Sequence, residues 1–396
     1  MHVLLLPSES VMTEWSPLGG IFQMDLAHAL AEAGHRVGVV SVGKLPASHL
    51  WRRRGYPALE SVDGVPVLRR YLRVPVPQGA DRGLWLGRLY ARAAAPVLAT
   101  YRAAFGTPEI IHAHNVRYGG AIARTLSRRT GIPYVVTEHS SEYSTGRVTA
   151  GQRAAFRAVL EEASGASAVS GRFARTIGDV LAMPAARISV IPNAMPRAFA
   201  DSPASAQVPS GRFTVLAVGE LLPIKNHALL LRAFASAFAG QAAALRIVGG
   251  GALAGLLAAQ AEALGIGGQV TFLGRRTRDE VLAEMRAAHC LALSSDSETF
   301  GVVVVEALSQ GLPVVSTACG GPEDIIRPAD GRLVPVGDAG ALASALLDLR
   351  QNAGRFDRAG IIAQCRERFS APAVAREYVA WYARALSKGS VREGSA

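Results

Sequence analysis

The stretch Ser294-Ser-Asp-Ser-Glu-Thr-Phe-Gly-Val-Val-Val-Val-Glu-Ala-Leu-Ser-Gln-Gly311 carries two carboxylates eight residues apart, Glu298 and Glu306, around a Phe-Gly pair. The apolar run 290–293 before it predicts a strand, and Gly311 is a typical helix stop signal. The Phe-Gly pair is therefore predicted to lie at a helix N-terminus beside the edge of a sheet. The free N–H groups and the positive dipole of such a helix end favour binding of a phosphate.

The spacing of the two glutamates matches the dimensions of a nucleotide sugar. At 1.5 Å of rise per residue, Glu298 and Glu306 lie about 12 Å apart along a helix axis. That distance is close to the separation between the sugar and the ribose of a bound nucleotide sugar. Residues 302–305 are four consecutive valines, however, and β-branched side chains favour a strand by local propensity.

The same stretch resembles the donor-site signature of a known enzyme family. Glu298-x7-Glu306, with Phe300-Gly301 inside it and Gly311-Leu-Pro-Val-Val after it, is similar to the signature of the retaining, two-domain glycosyltransferases of family 4 (GT4). The resemblance implies an α/β fold with two doubly wound Rossmann-like domains that face a cleft (GT-B). It also implies that residues 302–305 are helical. The alternative is that two surface glutamates simply flank a buried helix.

The resemblance also assigns roles to the residues of this stretch. Glu306 is implied to accept hydrogen bonds from the ribose hydroxyl groups, and Glu298 from hydroxyl groups of the transferred sugar. The backbone amides near Phe300, Gly301 and Val302 are implied to stabilise the departing diphosphate. We therefore expect Glu298 to take part in catalysis and the other four residues to bind the donor.

Composition limits the class of protein. A chain of 396 residues is long enough for two or three domains, and 49% hydrophobic with 18% charged residues is typical of a globular protein. No apolar run approaches the roughly 18 residues of a membrane span, and the short run 3–6 lacks a basic leader, so a first strand is favoured over a signal peptide. The three cysteines are few, odd in number and widely spaced. Neither a disulfide framework nor a zinc site is indicated, and we expect a cytoplasmic protein.

Positive charge is concentrated in the first half of the chain. Residues 1–200 contain 23 Lys and Arg against 13 Asp and Glu, whereas residues 201–396 contain 19 against 18. Basic and aromatic residues alternate within 51–56, 69–73 and 82–102. Such patches favour an anionic membrane surface, a phosphorylated acceptor or nucleic acid. The alternative is a solvated face in an arginine-rich protein, because Arg outnumbers Lys 39 to 3.

The order of apolar runs predicts two α/β domains. Strands are predicted near 3–6, 36–42, 65–72, 110–114, 133–137, 166–170 and 188–191, with a helix at 21–33. A second series of strands and helices begins at 213, after a Pro/Ser/Ala-rich stretch. We predict an N-terminal acceptor-side domain at 1–195, a linker at 196–211 and a nucleotide-sugar-binding domain at 212–372. Residues 373–396 are expected to form a C-terminal helix that crosses back to the first domain, followed by a tail.

Two features of the first half are candidate parts of the acceptor side. Gly19-Gly20 precede the helix at 21–33, where paired glycines let backbone amides approach a phosphate. This pair also resembles the N-terminal motif of the family. Thr137-Glu138-His139 resembles the family's Thr-x-His, which implies that His139 approaches the donor sugar and acts in catalysis. His112 and His114 point to one side of a strand with no third ligand in view, so we expect no metal there.

The phosphate end of the donor site is predicted in the loop that starts at Gly219. Gly219-Glu-Leu-Leu-Pro-Ile-Lys225 resembles the family's Gly-Arg-Leu-x-Pro-x-Lys-Gly, whose Arg and Lys bind the diphosphate. Lys225 matches, and it is one of only three lysines in the chain. We therefore expect Lys225 to act in catalysis by stabilising the charge of the leaving diphosphate. Glu220 replaces the usual Arg, so another cation is needed. Arg275 is the first candidate for that cation, with Arg276 and Arg172 as the others.

The glycines at 249–251 partly fit a dinucleotide-binding motif. They fit Gly-x-Gly-x-x-Ala, but the next strand ends in Gly274-Arg275-Arg276 and not in an acidic residue that would bind ribose. Gly250 is therefore expected at the nucleotide-facing rim, with no nicotinamide cofactor. No Asp-x-Asp occurs in the sequence. We expect transfer without a metal ion or cofactor, from a nucleotide-sugar donor to a glycan, lipid-linked or small-molecule acceptor.

Three other functions remain open at this point. A nucleotide-sugar epimerase would share the two-domain shape but need no acceptor. A catalytically silent protein that binds nucleotide or carbohydrate is favoured by Glu220. A nucleic-acid-binding protein would explain the charge of the first half but not the second domain, and nucleic acid is not an expected partner. The expected location is the cytoplasm, with peripheral contact at the inner face of an anionic membrane.

Overall fold

The computed structural model describes residues 1–16, 19–46, 59–73, 82–202 and 207–393. These residues form two compact units. Unit 1 comprises Met1–Ala194 together with Ala371–Ala396, and unit 2 comprises Met195–Ser370. The basic patch predicted at 51–56 lies outside the described residues.

Unit 1 is built on an eight-stranded sheet. Its strands are β1 (His2–Leu6), β2 (Arg36–Lys44), β3 (Leu59–Val62), β4 (Val65–Leu72), β5 (Ile110–His114), β6 (Tyr134–Glu138), β7 (Gly165–Ala168) and β8 (Ile188–Val190). They are arranged in the order β3-β4-β2-β1-β5-β6-β7-β8. All neighbouring strands are parallel except the β3–β4 pair at one edge, which is antiparallel. The helices between the strands are α1 (Ile21–Glu32), α2 (Arg82–Phe105), α3 (Ala121–Thr130), α4 (Ala150–Glu162) and α5 (Gly171–Leu181).

The central strands of unit 1 are buried along their whole length. Every residue of β1, β5 and β6 is buried, as expected for parallel strands that are covered on both faces. The predicted strands at 65–72 and 110–114 are confirmed without a shift in their ends. The antiparallel edge strand β3 was not predicted.

Unit 2 is built on a six-stranded parallel sheet. Its strands are β9 (Phe213–Val218), β10 (Ala243–Val248), β11 (Val270–Gly274), β12 (Cys290–Leu293), β13 (Val314–Thr317) and β14 (Gly331–Val334). The order β11-β10-β9-β12-β13-β14 is the 3-2-1-4-5-6 order of a Rossmann fold. Its helices are α6 (Arg197–Ala200), α7 (His227–Phe238), α8 (Ala254–Ala263), α9 (Arg278–Ala287), α10 (Val302–Ser309), α11 (Gly321–Ile325), α12 (Ala339–Gln351) and α13 (Arg358–Phe369). Strands β13 and β14 were not predicted.

The four valines of residues 302–305 are helical, as the family resemblance implies and against their local propensity. Helix α10 begins after Gly301, which has a left-handed φ of 97° that glycine adopts without steric cost. Val304, Val305 and Leu308 are buried. Burial of this face stabilises the helix by more than the valines' unfavourable helix propensity costs.

The last helix, α14 (Ala371–Glu393), packs within unit 1. Val374, Tyr378, Trp381 and Tyr382 join the same hydrophobic cluster as the buried side chains of β1 and α1. Unit 1 is therefore completed by the C-terminal end of the chain, which follows the whole of unit 2 in sequence.

The segment predicted as a linker at 196–211 is not entirely irregular. Helix α6 lies within it, and Phe199 is only 1% exposed. The backbone carbonyl of Phe199 accepts a hydrogen bond from the side chain of Gln310. A large apolar side chain thus anchors the start of this segment in unit 2, while residues 203–206 lie outside the described residues. In the part of the chain that the structure describes, no helix is both long and apolar enough to span a membrane.

Candidate functional site

The predicted donor residues lie at the point in the unit 2 sheet where the strand order reverses. Strands β9 and β12 are parallel neighbours, and each leads at its carboxyl end into one of the predicted loops. Strand β9 leads to Gly219 and Lys225, and β12 leads to Glu298. In an open α/β sheet, ligands bind in the crevice outside the carboxyl ends of the strands at this switch point.

Lys225 and Glu298, 73 residues apart in sequence, form a salt bridge. Lys225 Nζ lies 2.6 Å from Glu298 Oε1. The same carboxylate oxygen accepts a hydrogen bond of 2.8 Å from the hydroxyl group of Ser295. The side chains of Lys225 and Glu298 are 27% and 12% exposed, so the pair is sheltered but still accessible to a ligand. The sequence predicted each residue for the site but not their direct contact.

Hydrogen bonds join the two loops that carry this pair. Ser294 Oγ donates to the backbone carbonyl of Lys225, and the amide of Asp296 donates to the carbonyl of Ile224. The side-chain amide of Asn226 donates to Asp296 Oδ1 at 2.8 Å. These bonds hold the ammonium and the carboxylate in position before any ligand binds.

Two glycines that sequence reasoning missed hold the backbone of Glu298. The Glu298 amide donates to the carbonyl of Cys319, and the Gly321 amide donates to the carbonyl of Glu298. A Cβ at Gly320 would lie 2.3 Å from the Glu298 oxygen, and one at Gly321 would lie 2.1 Å from the Phe300 oxygen. Only glycine permits these approaches. The paired glycines before Pro322 were a signal that could have revealed them.

The N-terminus of α10 lies next in the chain after Glu298. Phe300 is buried, with its ring edge-on to that of Phe369 at 6.0 Å between centroids. It can therefore contribute to binding only through its backbone, whereas Gly301 and Val302 form the helix end itself. Glu306 is half-buried on α10, and its contact with ribose stays a prediction.

The rim of the phosphate loop brings Glu220 and Arg275 together. Arg275 Nη2 lies 3.5 Å from Glu220 Oε1, and both side chains are well exposed. A Cβ at Gly250 would meet the Arg275 side chain at 3.0 Å, and the Leu221 amide donates to the Gly250 carbonyl. Of the three candidate cations, Arg275 is thus placed directly at this loop.

The other two candidate cations have different surroundings. Arg276, two residues before α9, pairs with Glu280 in the first turn of that helix, at 3.1 Å. Arg172 lies in unit 1, at the start of α5. Only Arg275 adjoins the residue that replaces the usual arginine.

In unit 1, the predicted histidine follows β6, next to the switch point between β1 and β5. His139 Nε2 lies 3.0 Å from His114 Nδ1, and the two rings are stacked. His112, on the same strand as His114, is hydrogen-bonded to Tyr382 and Thr137, each at 2.7 Å. The three histidines form one packed cluster, which we call the histidine cluster of His112, His114 and His139.

Burial controls the protonation of this cluster. It lowers the pKa of His139 to about 4, although the side chain of Asn193 acts in the opposite direction. It also lowers the pKa of His112 and His114 well below 6.5. Burial raises the pKa of the neighbouring Glu138 to about 7, although amides of Val116, Ser140 and His139 donate to its carboxylate. His139 is therefore a neutral ring near pH 7.

The structure places Gly19 and Gly20 before α1, where the sequence predicts a phosphate-binding turn. Gly20 has a left-handed φ of 69° and precedes the first residue of the helix. The Glu9 carboxyl group lies at the Gly20 amide; burial raises the pKa of Glu9, and this hydrogen bond lowers it in part. A carboxyl group of the protein itself thus accepts a hydrogen bond from one of the amides predicted to bind a phosphate.

A cavity of about 490 Å³ opens at the carboxyl ends of β1 and β2 in unit 1. Its walls combine aromatic rings with hydroxyl groups and one residue of each charge: Ser8, Glu9, Ser10, Trp15, Ser16, Lys44, Tyr90 and Tyr118. Tyr90 and Tyr118 pack edge-to-face at 5.3 Å. A cavity of this size can hold a small molecule.

Comparison with known proteins agrees with this geometry. Residues 199–364 match the family described as glycosyl transferases group 1, and residues 20–194 match the glycosyl transferase 4-like domain. A D-inositol 3-phosphate glycosyltransferase from Salinispora tropica is 30% identical over 370 residues, which cover 85% of this chain and 74% of that protein.

Solved structures show the same fold. Sucrose-phosphate synthase from Thermosynechococcus elongatus matches with a TM-score of 0.73 and 21% identity, over 98% of this chain and 100% of that chain. HepE from Anabaena, solved in complex with UDP, matches with a TM-score of 0.73 and 19% identity, over 97% and 100%. With two Rossmann-like units and both halves matched, this chain belongs to the family 4 glycosyltransferases of the GT-B fold.

Proposed function

We propose that this protein is a retaining glycosyltransferase that uses a nucleotide-diphosphate sugar and needs no metal ion. The observation that carries the proposal is the contact of Lys225 with Glu298 at the switch point of unit 2. In this proposal, Lys225 is the cation for the diphosphate and its neighbour Glu298 is the carboxylate for the sugar. The complex of HepE with UDP supports UDP as the nucleotide to test first.

The proposed reaction breaks the bond between the anomeric carbon and a diphosphate oxygen, which keeps the electron pair. Lys225 and the first amides of α10 stabilise the charge that develops on this oxygen. Glu306 binds the ribose, and Glu298 binds hydroxyl groups of the sugar. The acceptor oxygen then bonds to the anomeric carbon, and its proton passes to the departing diphosphate.

The surroundings of Glu298 support retention through front-face attack. Its Oε1 already accepts from Lys225 and Ser295, which makes it a weak nucleophile. This disfavours a covalent intermediate on Glu298. With retention carried over from the family, the proposed acceptor approaches from the side of the leaving diphosphate, so the anomeric configuration is kept. Within the described residues, no group of three His, Cys, Asp or Glu side chains is placed to hold a metal ion.

We assign the acceptor to unit 1. The neutral ring of His139 can donate or accept one hydrogen bond with a hydroxyl group, which suits a sugar or polyol. The cavity beside Trp15, Tyr90 and Tyr118 offers aromatic walls and hydroxyl groups. Lys44 could bind a phosphate there, as would suit a phosphorylated polyol such as the one named for the Salinispora relative.

We also propose that unit 1 contacts an anionic membrane at its cytoplasmic face. Helix α2 contains several arginines and no acidic residue, and its Trp85, Arg88 and Arg92 are exposed. Basic residues near a membrane attract anionic lipid, and tryptophan prefers the interface. The protein should sediment with anionic vesicles, and the double variant Arg88→Glu/Arg92→Glu should remain in the supernatant. Equal failure to bind anionic and neutral vesicles would contradict this.

An assay of donors against acceptors tests the enzymatic proposal. UDP-glucose, UDP-N-acetylglucosamine, UDP-galactose, GDP-mannose and ADP-glucose would each be incubated with inositol phosphate, aminocyclitol and sugar acceptors, with EDTA present. We expect an acceptor-dependent release of nucleoside diphosphate and a product with the donor's anomeric configuration by NMR. A new nucleotide sugar formed without acceptor would indicate an epimerase. Binding without turnover would indicate a silent binding protein.

A further inference from the structure

His227 is buried beside the phosphate loop with no described partner for either ring nitrogen. It is the first residue of α7 and is 5% exposed. Among the described residues, neither Nδ1 nor Nε2 has a hydrogen-bond partner. Buried polar atoms are rarely left unpaired, because each loses its hydrogen bonds with water. Both ring nitrogens of His227 thus have hydrogen-bonding capacity that the described residues do not use.

The space around Gly219 shows where a ligand would meet the ring. A Cβ added at Gly219 would have His227 Nε2 as its nearest neighbour, at 3.8 Å, followed by Lys225 Cδ and Cγ at 3.9 Å. The missing side chain thus leaves room beside both residues. The ammonium group at the end of the Lys225 side chain donates to Glu298. The space beside Gly219 therefore lies along the same side chain that we assign to the diphosphate.

The helix end adds to the attraction for an anion. Asn226, with a left-handed φ of 45°, ends the loop, and its side chain accepts from the Leu229 amide. The N-terminus of the twelve-residue α7 then begins at His227 and carries partial positive charge. Burial lowers the pKa of His227, and Lys225 lowers it further. The nearby backbone of Glu220 and Gly219 raises the pKa in part, although it does not meet either ring nitrogen in hydrogen-bond geometry. The ring is thus neutral near pH 7 and carries one N–H group to donate.

We propose that His227 is a further donor-binding residue, whose Nε2–H donates a hydrogen bond to an oxygen of the diphosphate held over Gly219. This inference rests on the proposed function and extends it. It also supplies part of what the loop lacks, since Glu220 stands where the resembled loop has an arginine. The phosphate is then held by Lys225 from one side and by a neutral N–H group from the other.

Binding of UDP and UMP by calorimetry tests this inference, because their difference isolates the distal phosphate. GDP with GMP and ADP with AMP would be measured in the same way. The ratio of diphosphate to monophosphate affinity should fall about tenfold in His227→Phe, as for loss of a hydrogen bond to a charged group. His227→Gln should keep most of the ratio, because its amide nitrogen reaches close to the place of Nε2. Melting without nucleotide should show that His227→Phe is folded, since no hydrogen bond of the described structure is lost.

His289, the other histidine of unit 2, provides the control. It lies just before β12, and its Nδ1 accepts from the Thr214 amide near the start of β9. His289 is therefore at the amino ends of the strands, whereas the predicted donor site is at their carboxyl ends. His289→Gln should leave the ratio unchanged. If His227→Phe does not fold, His227→Asn is measured in its place. The shorter Asn side chain should not reach the phosphate, so the ratio of diphosphate to monophosphate affinity should fall as well. An unchanged ratio in a folded His227 variant would overturn this inference alone, whereas failure of the unaltered protein to bind any of the diphosphates would overturn the proposed function with it.

Discussion

The switch points of the two sheets have the same topology, but one carries charged side chains and the other carries neutral histidines. In unit 2, the loops after β9 and β12 carry a charged pair, Lys225 and Glu298, with both side chains partly exposed. In unit 1, the residues next to the β1–β5 reversal are neutral histidines, with the pKa of His139 at about 4. The topology decides where a ligand can bind, and the side chains decide which chemistry is bound. Fixed charge suits a diphosphate, whereas neutral rings suit hydroxyl groups.

The sharpest test of this contrast is removal of the ammonium group. Lys225→Ala should lower kcat about 10²- to 10³-fold, because a preorganised group that stabilises the leaving charge is lost. Initial rates of nucleoside diphosphate release at saturating donor would measure this effect. Arg276→Ala is the matched control, since Arg276 lies in the loop before α9 and pairs with Glu280 in the first turn of that helix. Rates equal to those of the unaltered protein would remove Lys225 from the site.

Substitution of the second glutamate should affect binding more than chemistry. Glu306→Ala should raise the donor KM about tenfold with little change in kcat, because hydrogen bonds to ribose are made equally in the ground and transition states. Steady-state kinetics with varied donor would separate the two constants. A large fall in kcat with unchanged KM would place Glu306 at the reacting centre and not at the ribose.

The neutral histidines of unit 1 predict a loss of stability in acid. Because the folded-state pKa values of His112, His114 and His139 are lowered, the unfolded chain takes up protons first as pH falls below 6.5. Stability present above that pH is then lost towards pH 4. The pKa of Glu138 is raised from 4.5 to about 7, so the folded state takes up a proton there before the unfolded chain does. This opposes the loss of stability and cancels the effect of about one histidine.

A single substitution isolates one of these protons. His114→Asn should reduce the slope of unfolding free energy against pH by up to about 1.4 kcal/mol per pH unit below pH 6.5, because the lowered pKa of His114 keeps its ring neutral in the folded state. Urea unfolding followed by tryptophan fluorescence is suitable, because all four tryptophans belong to unit 1. Parallel slopes for the variant and the unaltered protein would show that His114 is not held neutral by burial.

The smallest expected effect is at the rim of the phosphate loop. Arg275→Ala should weaken binding of UDP about threefold, and more at low salt, because the Arg275 side chain is exposed and its charge is screened by salt. Titration at two ionic strengths would measure this. The double variant Glu220→Ala/Arg275→Ala distinguishes a direct cation from one that only neutralises Glu220. If the double variant binds UDP as tightly as the unaltered protein, Arg275 does not contact the diphosphate.

Much of this architecture follows from the sequence, because buried parallel strands leave continuous apolar runs. The strands at 65–72, 110–114 and 290–293 were predicted with their observed ends. The motif around Glu298 also predicted the helix of 302–305 correctly, where local propensity alone favours a strand. A motif records tertiary context that single residues do not.

What the sequence did not reveal depends on contacts between distant segments. The salt bridge of Lys225 with Glu298 and the packing of Gly320 on the Glu298 backbone join residues far apart in the chain. The approach of Glu9 to Gly20 likewise depends on how a loop folds over a helix end. Periodicity and propensity carry no information about such contacts, which become visible only when the loops are placed in three dimensions.

The most direct test of the central claim is a comparison of UDP and UMP binding with EDTA present, by the unaltered protein and by Lys225→Ala. The claim is that unit 2 holds the diphosphate of the donor through Lys225, without a metal ion. We predict that the unaltered protein binds UDP more tightly than UMP, and that Lys225→Ala binds the two about equally. A preference for UDP that survives in Lys225→Ala, or that appears only when Mg²⁺ or Mn²⁺ is added, would contradict it.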